Sequence, residues 1–151
     1  MKIRKARLSD TQIIADFNSR MAWETERRRL NRPRVNRGVR ALLKDKARGI
    51  YFVVEVDDQI AGQLLITFEW SDWRNGNFWW IQSVYVAPEF RERGVFRSLY
   101  AHVHNLAKAR RDVCGLRLYV EENNARAQKA YARLGMKESH YKFFEIDFVL
   151  Q

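Results

Sequence analysis

Between Val84 and Phe96 the hydrophobic period of the chain changes, and that change limits the possible folds more than any other feature. Up to Val86 the apolar residues sit in strand-like runs. After Pro88 they follow a helical stripe of Val95, Leu99, Val103, Leu106 and Ala107. The short joint between the two carries Arg91, Arg93 and Gly94. The first N–H groups of a helix have no partner inside it and lie at the positive end of its dipole. Glycine lets a backbone come close to a ligand. A strand that runs through such a turn into a helix therefore suits an anion such as a pyrophosphate. An ordinary strand-to-helix turn uses the same residue types, so the turn alone does not decide between the two. No Lys-Ser/Thr pair and no Gly-x-Gly-x-x-Gly run accompanies it, which disfavours a nucleoside triphosphatase and a dinucleotide enzyme.

The rest of the chain supplies the partners such a unit needs. Ile3–Arg7 reads as a short strand, and Ser9 and Asp10 offer cap oxygens to a helix running to about Glu26. Its apolar face is Ile13, Ile14, Phe17 and Met21. The polar stretch Arg27–Arg37, which contains Pro33, reads as a loop. A second helix then carries Val39, Leu42 and Leu43 and ends at Gly49. Tyr51–Val56, Gln63–Trp70 and Phe78–Val86 are strand candidates, joined by turns at Asp57-Asp58 and Asn75-Gly76. Leu116–Val120 is a further strand, Asn124–Leu134 a short helix closed by Gly135, and Tyr141–Phe148 a last strand. Hairpins followed by alternating strands and helices predict a mixed α/β class. With 151 residues and no linker or repeat, the expectation is one domain spanning residues 1–151.

Composition narrows the function classes. Lone Cys114 cannot form an internal bridge, no N-terminal segment has signal-peptide character, and no apolar run is long enough to span a bilayer. The expectation is a cytoplasmic protein without membrane contact and without a metal. The net charge of +10 attracts polyanions of any kind. Its arginines are spread along the chain, however, and no nucleic-acid signature accompanies them, so a nucleic-acid-binding module ranks last.

A second segment settles what the phosphate turn leaves open. Asn124 and Tyr131 lie seven positions apart, close to two helical turns, on one face of the short helix. By themselves they read as a helix cap and an amphipathic core residue. Together with the turn, they resemble the two signatures of the GNAT superfamily of N-acetyltransferases. Arg91-Glu92-Arg93-Gly94-Val95-Phe96 is similar to Arg/Gln-x-x-Gly-x-Gly/Ala, and departs from it where Phe96 stands for Gly or Ala. Asn124, Ala127, Tyr131, Gly135 and Met136 match Asn-x-x-Ala-x-x-x-Tyr-x-x-x-Gly-Phe/Met at every marked position.

The resemblance implies a GNAT-like fold, a central mixed, mostly antiparallel sheet of six to seven strands flanked by about four helices. It implies acetyl-CoA as co-substrate and direct attack of an amine on the thioester. Tyr85, Val86, Arg91, Arg93, Gly94, Val95, Phe96, Asn124 and Tyr131 then fall to the cofactor. In the family the Asn binds the pantetheine arm and the Tyr hydroxyl protonates the departing thiolate. A phenol with a pKa of about 10 holds its proton at neutral pH. By the same analogy the main-chain N–H of Val86 takes the developing oxyanion. Many relatives place a base in this strand, but Trp79-Trp80-Ile81-Gln82-Ser83 contains no carboxylate. The base then comes from elsewhere, with Glu24 and Glu69 the candidates, or solvent takes the proton. Trp23, Glu24, Glu69 and Gln82 are the expected acceptor-side residues, aromatic faces and carboxylates being suited to a cationic amine. The acceptor expected is a small amine; a protein N-terminus or lysine is the alternative. The family also suggests a homodimer.

Overall fold

Five strands form one sheet in chain order: β1 Lys2–Lys5, β2 Ile50–Val56, β3 Gln59–Ser71, β4 Gly76–Val86 and β5 Val113–Arg117. This is a computed structural model, and it describes residues 1–150. β1 to β4 are antiparallel neighbours, and β5 runs parallel to β4. Four α-helices accompany the sheet: α1 Thr11–Glu26, α2 Arg32–Lys44, α3 Val95–Lys108 and α4 Ala125–Arg133. The chain divides into two compact units, Met1–Leu118 with the whole sheet and α1 to α3, and Tyr119–Gln151 with α4.

Local chemistry explains most of the boundaries. Asp57 and Asp58 take left-handed φ of 51° and 60°, the mirror-image turn whose twist matches that of two antiparallel strands. Asn75, at φ 50°, closes the second hairpin just before Gly76. α1 stops where Arg27 turns left-handed at φ 50°, its N–H returning to the last turn. Asp10 precedes α1 but does not cap it with its side chain. Its carboxylate turns back to the Arg7 N–H at 2.6 Å and to Arg4 at 2.8 Å. α2 begins within the stretch expected to be a loop. Asn31 caps it by accepting from the Arg34 N–H at 2.9 Å, and Pro33 sits in its first turn, where a missing N–H costs nothing.

The pleat sends alternate side chains to opposite faces. Tyr51, Val53 and Leu65 join Ile14, Ala15 and Val39 in one buried cluster, which fixes α1 and α2 on that face. Phe52, Val54, Leu64 and Ile66 point the other way and are almost wholly buried. α3 packs there against β2 to β5, and its Val95, Leu99, Val103 and Ala107 are buried while Leu106 remains exposed. Each large apolar side chain sequestered this way contributes about 1.5–3 kcal/mol.

In the second unit α4 ends in a Schellman arrangement. Gly135, at φ 90°, donates its N–H to the Ala132 carbonyl, and the Met136 N–H reaches the Tyr131 carbonyl. The expected strand Tyr141–Phe148 is not present: these residues join no ladder, and the sheet has five strands instead of six or seven. Alternation of apolar residues expresses a fit to a pleated, half-buried surface and makes a strand only where a neighbour supplies hydrogen bonds. The strand expected at Leu116–Val120 is displaced to Val113–Arg117, where it pairs with β4. Among the described residues no helix is long and apolar enough to cross a membrane.

Candidate active site

β4 is regular up to Gln82 and then bulges. Leu65 stands opposite Gln82, but Gln63 stands opposite Tyr85, so β4 carries one residue more than β3 across this interval. Ser83 absorbs the excess at φ 48°, a left-handed conformation that a non-glycine residue adopts at a cost of order 1–3 kcal/mol. Beneath the bulge lies a polar network in an otherwise apolar interior. Gln63, fully buried, donates from Nε2 to Asn18 Oδ1 at 2.8 Å and to the Ser83 carbonyl at 3.1 Å. Asn18 in turn donates to the Tyr51 hydroxyl at 3.2 Å, and burial pushes that phenol above its ordinary pKa. Gln63 Oε1 has no hydrogen-bond partner among the described residues, a deficit of about 1–3 kcal/mol. The sequence reading missed all four residues. A lone Gln inside Gly62-Gln63-Leu64-Leu65-Ile66 is the one signal that pointed to them.

Beyond the bulge β4 leaves β5. The parallel register runs from Asn77↔Val113 to Trp80↔Arg117 and extends no further. The Ala87 N–H donates to the Ala61 carbonyl at 2.9 Å and therefore faces β3. Backbone groups of neighbouring residues in a strand point to opposite edges, so the N–H and C=O of Val86 face away from β3. The Val86 carbonyl is taken on that side by Arg91 Nε at 2.9 Å. The N–H of Val86 looks toward the same open edge.

The turn after Val86 positions the charged groups. A 3-10 turn at Pro88–Phe90 leads through Glu92, at φ 62°, to Gly94, at φ 77°, the residue just before α3. A Cβ added at Gly94 would meet no atom within 4 Å, so glycine is required there by its backbone angle and not by crowding. Arg93 lies over the Phe90 ring at 5.3 Å and approaches Asp57 at 3.9 Å, with both charges largely in water. Phe96 turns along α3 toward Tyr100, with ring centroids 6.3 Å apart. An open glycine before a helix, with Arg91 and Arg93 in the turn that leads to it, fits the diphosphate of a nucleotide cofactor.

Glu24, at the end of α1, is drawn into this region. It accepts from the Tyr85 hydroxyl at 2.9 Å and from Arg91 Nη2 at 2.7 Å, while Arg91 also lies 5.4 Å from the Tyr85 ring centroid. Burial, then the Glu24 carboxylate, pushes the Tyr85 phenol above its ordinary pKa. The Glu24–Arg91 side chains are 39% and 42% exposed, so water screens their attraction and the pair is worth about 0–1 kcal/mol. Trp23 is exposed and carries the guanidinium groups of Arg27 and Arg29 at 5.3 and 5.0 Å from its ring. Any cationic ligand at that face meets competition from the chain's own arginines.

Glu69 and Gln82 belong to other groups. Glu69 pairs with Arg117, whose guanidinium lies 3.6 Å from the Phe78 ring centroid, and Gln82 donates to Thr67. Glu69 is six residues along β3 from Gln63, about 20 Å at the rise of a strand. Of the two carboxylates considered as bases, only Glu24 stands beside the open end of β4. In the second unit, Asn124 Oδ1 caps α4 by accepting the Ala127 N–H at 3.1 Å. Tyr131 is partly buried, and burial pushes its phenol upward.

Comparison with known proteins adds the lineage. The sequence profile of the Acetyltransferase (GNAT) family matches residues 12–136. A possible acetyltransferase from Clostridium difficile 630 is 43% identical, with 98% of this chain and 97% of that chain covered and a TM-score of 0.92. A predicted acetyltransferase with acetyl-CoA from Clostridium acetobutylicum is 19% identical, with 98% and 96% covered at a TM-score of 0.78. A ribosomal-protein-alanine N-acetyltransferase from Brucella melitensis biovar Abortus 2308 is 18% identical, with 97% and 98% covered at a TM-score of 0.77. The last two likenesses speak to the fold alone. No curated protein matches the chain. A bulged β4 that runs through a left-handed glycine into α3, a profile covering most of the sequence and a full-length relative agree, and this chain belongs to the GNAT acetyltransferase family.

Proposed function

We propose that the enzyme transfers the acetyl group of acetyl-CoA directly to the primary amine of a small, cationic acceptor. The observation that carries this reading is the open edge of β4 at Val86, which leads straight into the Gly94 turn and has the Glu24 carboxylate beside it. Arg91, Arg93, Gly94 and the first N–H groups of α3, at Val95 and Phe96, would hold the pyrophosphate, with Tyr85 and Val86 alongside. Asn124 would bind the pantetheine arm through its amide. When bound, acetyl-CoA supplies the thioester whose C–S bond breaks as the C–N bond forms.

The residues of the chain then have separate tasks. The Val86 N–H would be offered to the charge that develops on the carbonyl oxygen, and a fixed backbone donor needs no reorganisation as that charge appears. Glu24 attracts the ammonium and takes up its proton, directly or through water. Tyr131, a phenol that holds its proton at pH 7 and that burial pushes further upward, would donate a proton to the departing sulfur.

The test is a panel of small amines, peptides with free N-termini and lysine peptides, each with acetyl-CoA and read by thiol release, beside thermal melting with cofactor alone. A ligand at 100 times its Kd stabilises the folded state by about 2.7 kcal/mol. We expect a rise in Tm with acetyl-CoA and turnover confined to small amines. Turnover on peptides alone refutes the acceptor assignment. The absence of any thermal shift or calorimetric binding at millimolar cofactor refutes the site.

A further inference from the structure

Arg91 is claimed twice, once by Glu24 at 2.7 Å and once, under the proposed function, by the cofactor's diphosphate. We propose that Glu24 and the diphosphate compete for Arg91, so that cofactor binding uncovers a carboxylate on the acceptor side. The inference rests on the assignment of Arg91 to the cofactor and adds a device that links the two halves of the site.

The geometry favours exchange. The Glu24–Arg91 pair is about two-fifths exposed on both sides, and exposed pairs of this kind are easily opened. A diphosphate offers more negative charge and several oxygens to a planar guanidinium, and is the stronger partner of the two. Only the Nη2 contact has to break, because the Nε bond to the Val86 carbonyl engages a different nitrogen. Glu24 does not drift when Nη2 lets go, since the Tyr85 hydroxyl still donates to its Oε1 at 2.9 Å. Its Oε2, now relieved of Arg91, becomes an acceptor for an ammonium ion. Before the cofactor arrives the same oxygen is neutralised, and a cationic amine finds little to hold it.

The experiment is a double-mutant cycle read by calorimetric titration of the full chain with coenzyme A, which needs no acceptor. Wild type, Glu24→Gln, Arg91→Ala and the double variant are titrated after melting curves show each to be folded. Arg91→Ala is expected to weaken binding about tenfold or more, the loss of a charge-assisted contact. Glu24→Gln is expected to tighten it between about twofold and fivefold, the range an exposed pair can withhold. In the Arg91→Ala background the Glu24→Gln change should do nothing. Equal tightening in both backgrounds would mean that Glu24 acts only as a nearby negative charge, and the competition is refuted. Unchanged or weaker binding by Glu24→Gln alone would mean that Glu24 presets Arg91 for the cofactor, which refutes it as well. Wild-type affinity in Arg91→Ala would overturn the cofactor assignment of Arg91 itself, a distinct failure visible in the single variant.

Discussion

Gly94 can be tested in two steps that separate backbone cost from charge. Its φ of 77° lies where an L side chain costs about 1–2 kcal/mol, and no atom within 4 Å of the added Cβ would increase that figure. Gly94→Ala should therefore lose about 1–2 kcal/mol of stability, or roughly 2–8 °C in Tm for a chain of this length. Gly94→Glu carries the same backbone cost. A carboxylate at the start of α3, however, recovers about 0.3–1 kcal/mol from the helix dipole, so the Glu variant should be no less stable than the Ala variant. Binding should rank the other way. A new carboxylate about 4 Å from a phosphate oxygen meets a repulsion of about 4 kcal/mol per unit charge at an effective dielectric near 20. Even a third of that is about a tenfold loss in affinity. Urea unfolding gives the stabilities, and titration with coenzyme A gives the affinities. If Gly94→Glu bound coenzyme A as tightly as Gly94→Ala, the phosphates would have to lie elsewhere. If Gly94→Ala were as stable as wild type, the conformational role of the glycine would be wrong.

Two further outcomes follow from the titrating groups. Tyr131→Phe should lower single-turnover acetyl transfer by roughly 10²–10⁴-fold while leaving coenzyme A affinity unchanged, and equal rates would remove the phenol from the mechanism. At Asp10 burial works to raise the carboxyl, but hydrogen bonds from Arg4 and from the Arg7 N–H outweigh it and hold the pKa below the ordinary value. A carboxyl depressed in the folded state contributes stability above its unfolded pKa of about 3.9 and loses it as the pH falls through the folded value. Asp10→Asn should therefore destabilise the protein at pH 7, by urea unfolding, and the gap to wild type should close below about pH 4. A gap independent of pH would mean that packing, and not charge, fixes Asp10.

What was legible in the sequence was local. The stripe of α3, the Asp57-Asp58 turn and the Gly135 stop each depend on residues within a few positions of one another, and each stands where expected, save that Leu106 of the stripe is exposed. Pro33 misled because the same residue ends a loop or opens a helix, and the Asn31 cap that decides between them is a single weak signal. The last strand misled because its pattern needs a partner that local sequence cannot name. Glu24 was singled out by the family resemblance, as a carboxylate beside a tryptophan in a segment expected on the acceptor side. Its tie to Tyr85 and Arg91 joins residues more than sixty positions apart. The Gln63 network was invisible for the same reason, since it forms only when α1, β2, β3 and β4 are laid side by side.

The extra residue at Ser83 makes the length of β4, as well as its sequence, part of the site. Between the pairs Leu65–Gln82 and Gln63–Tyr85, β4 sets two residues, Ser83 and Val84, against Leu64 alone. A relative with a one-residue gap here would retain every flanking pair, and by identity would look almost unchanged. Its ladder would nevertheless run straight, without the left-handed kink, and the buried amide would face a different carbonyl. The number of residues between Gln82 and Tyr85, and not their types alone, thus carries the kink that turns the Ser83 carbonyl to Gln63.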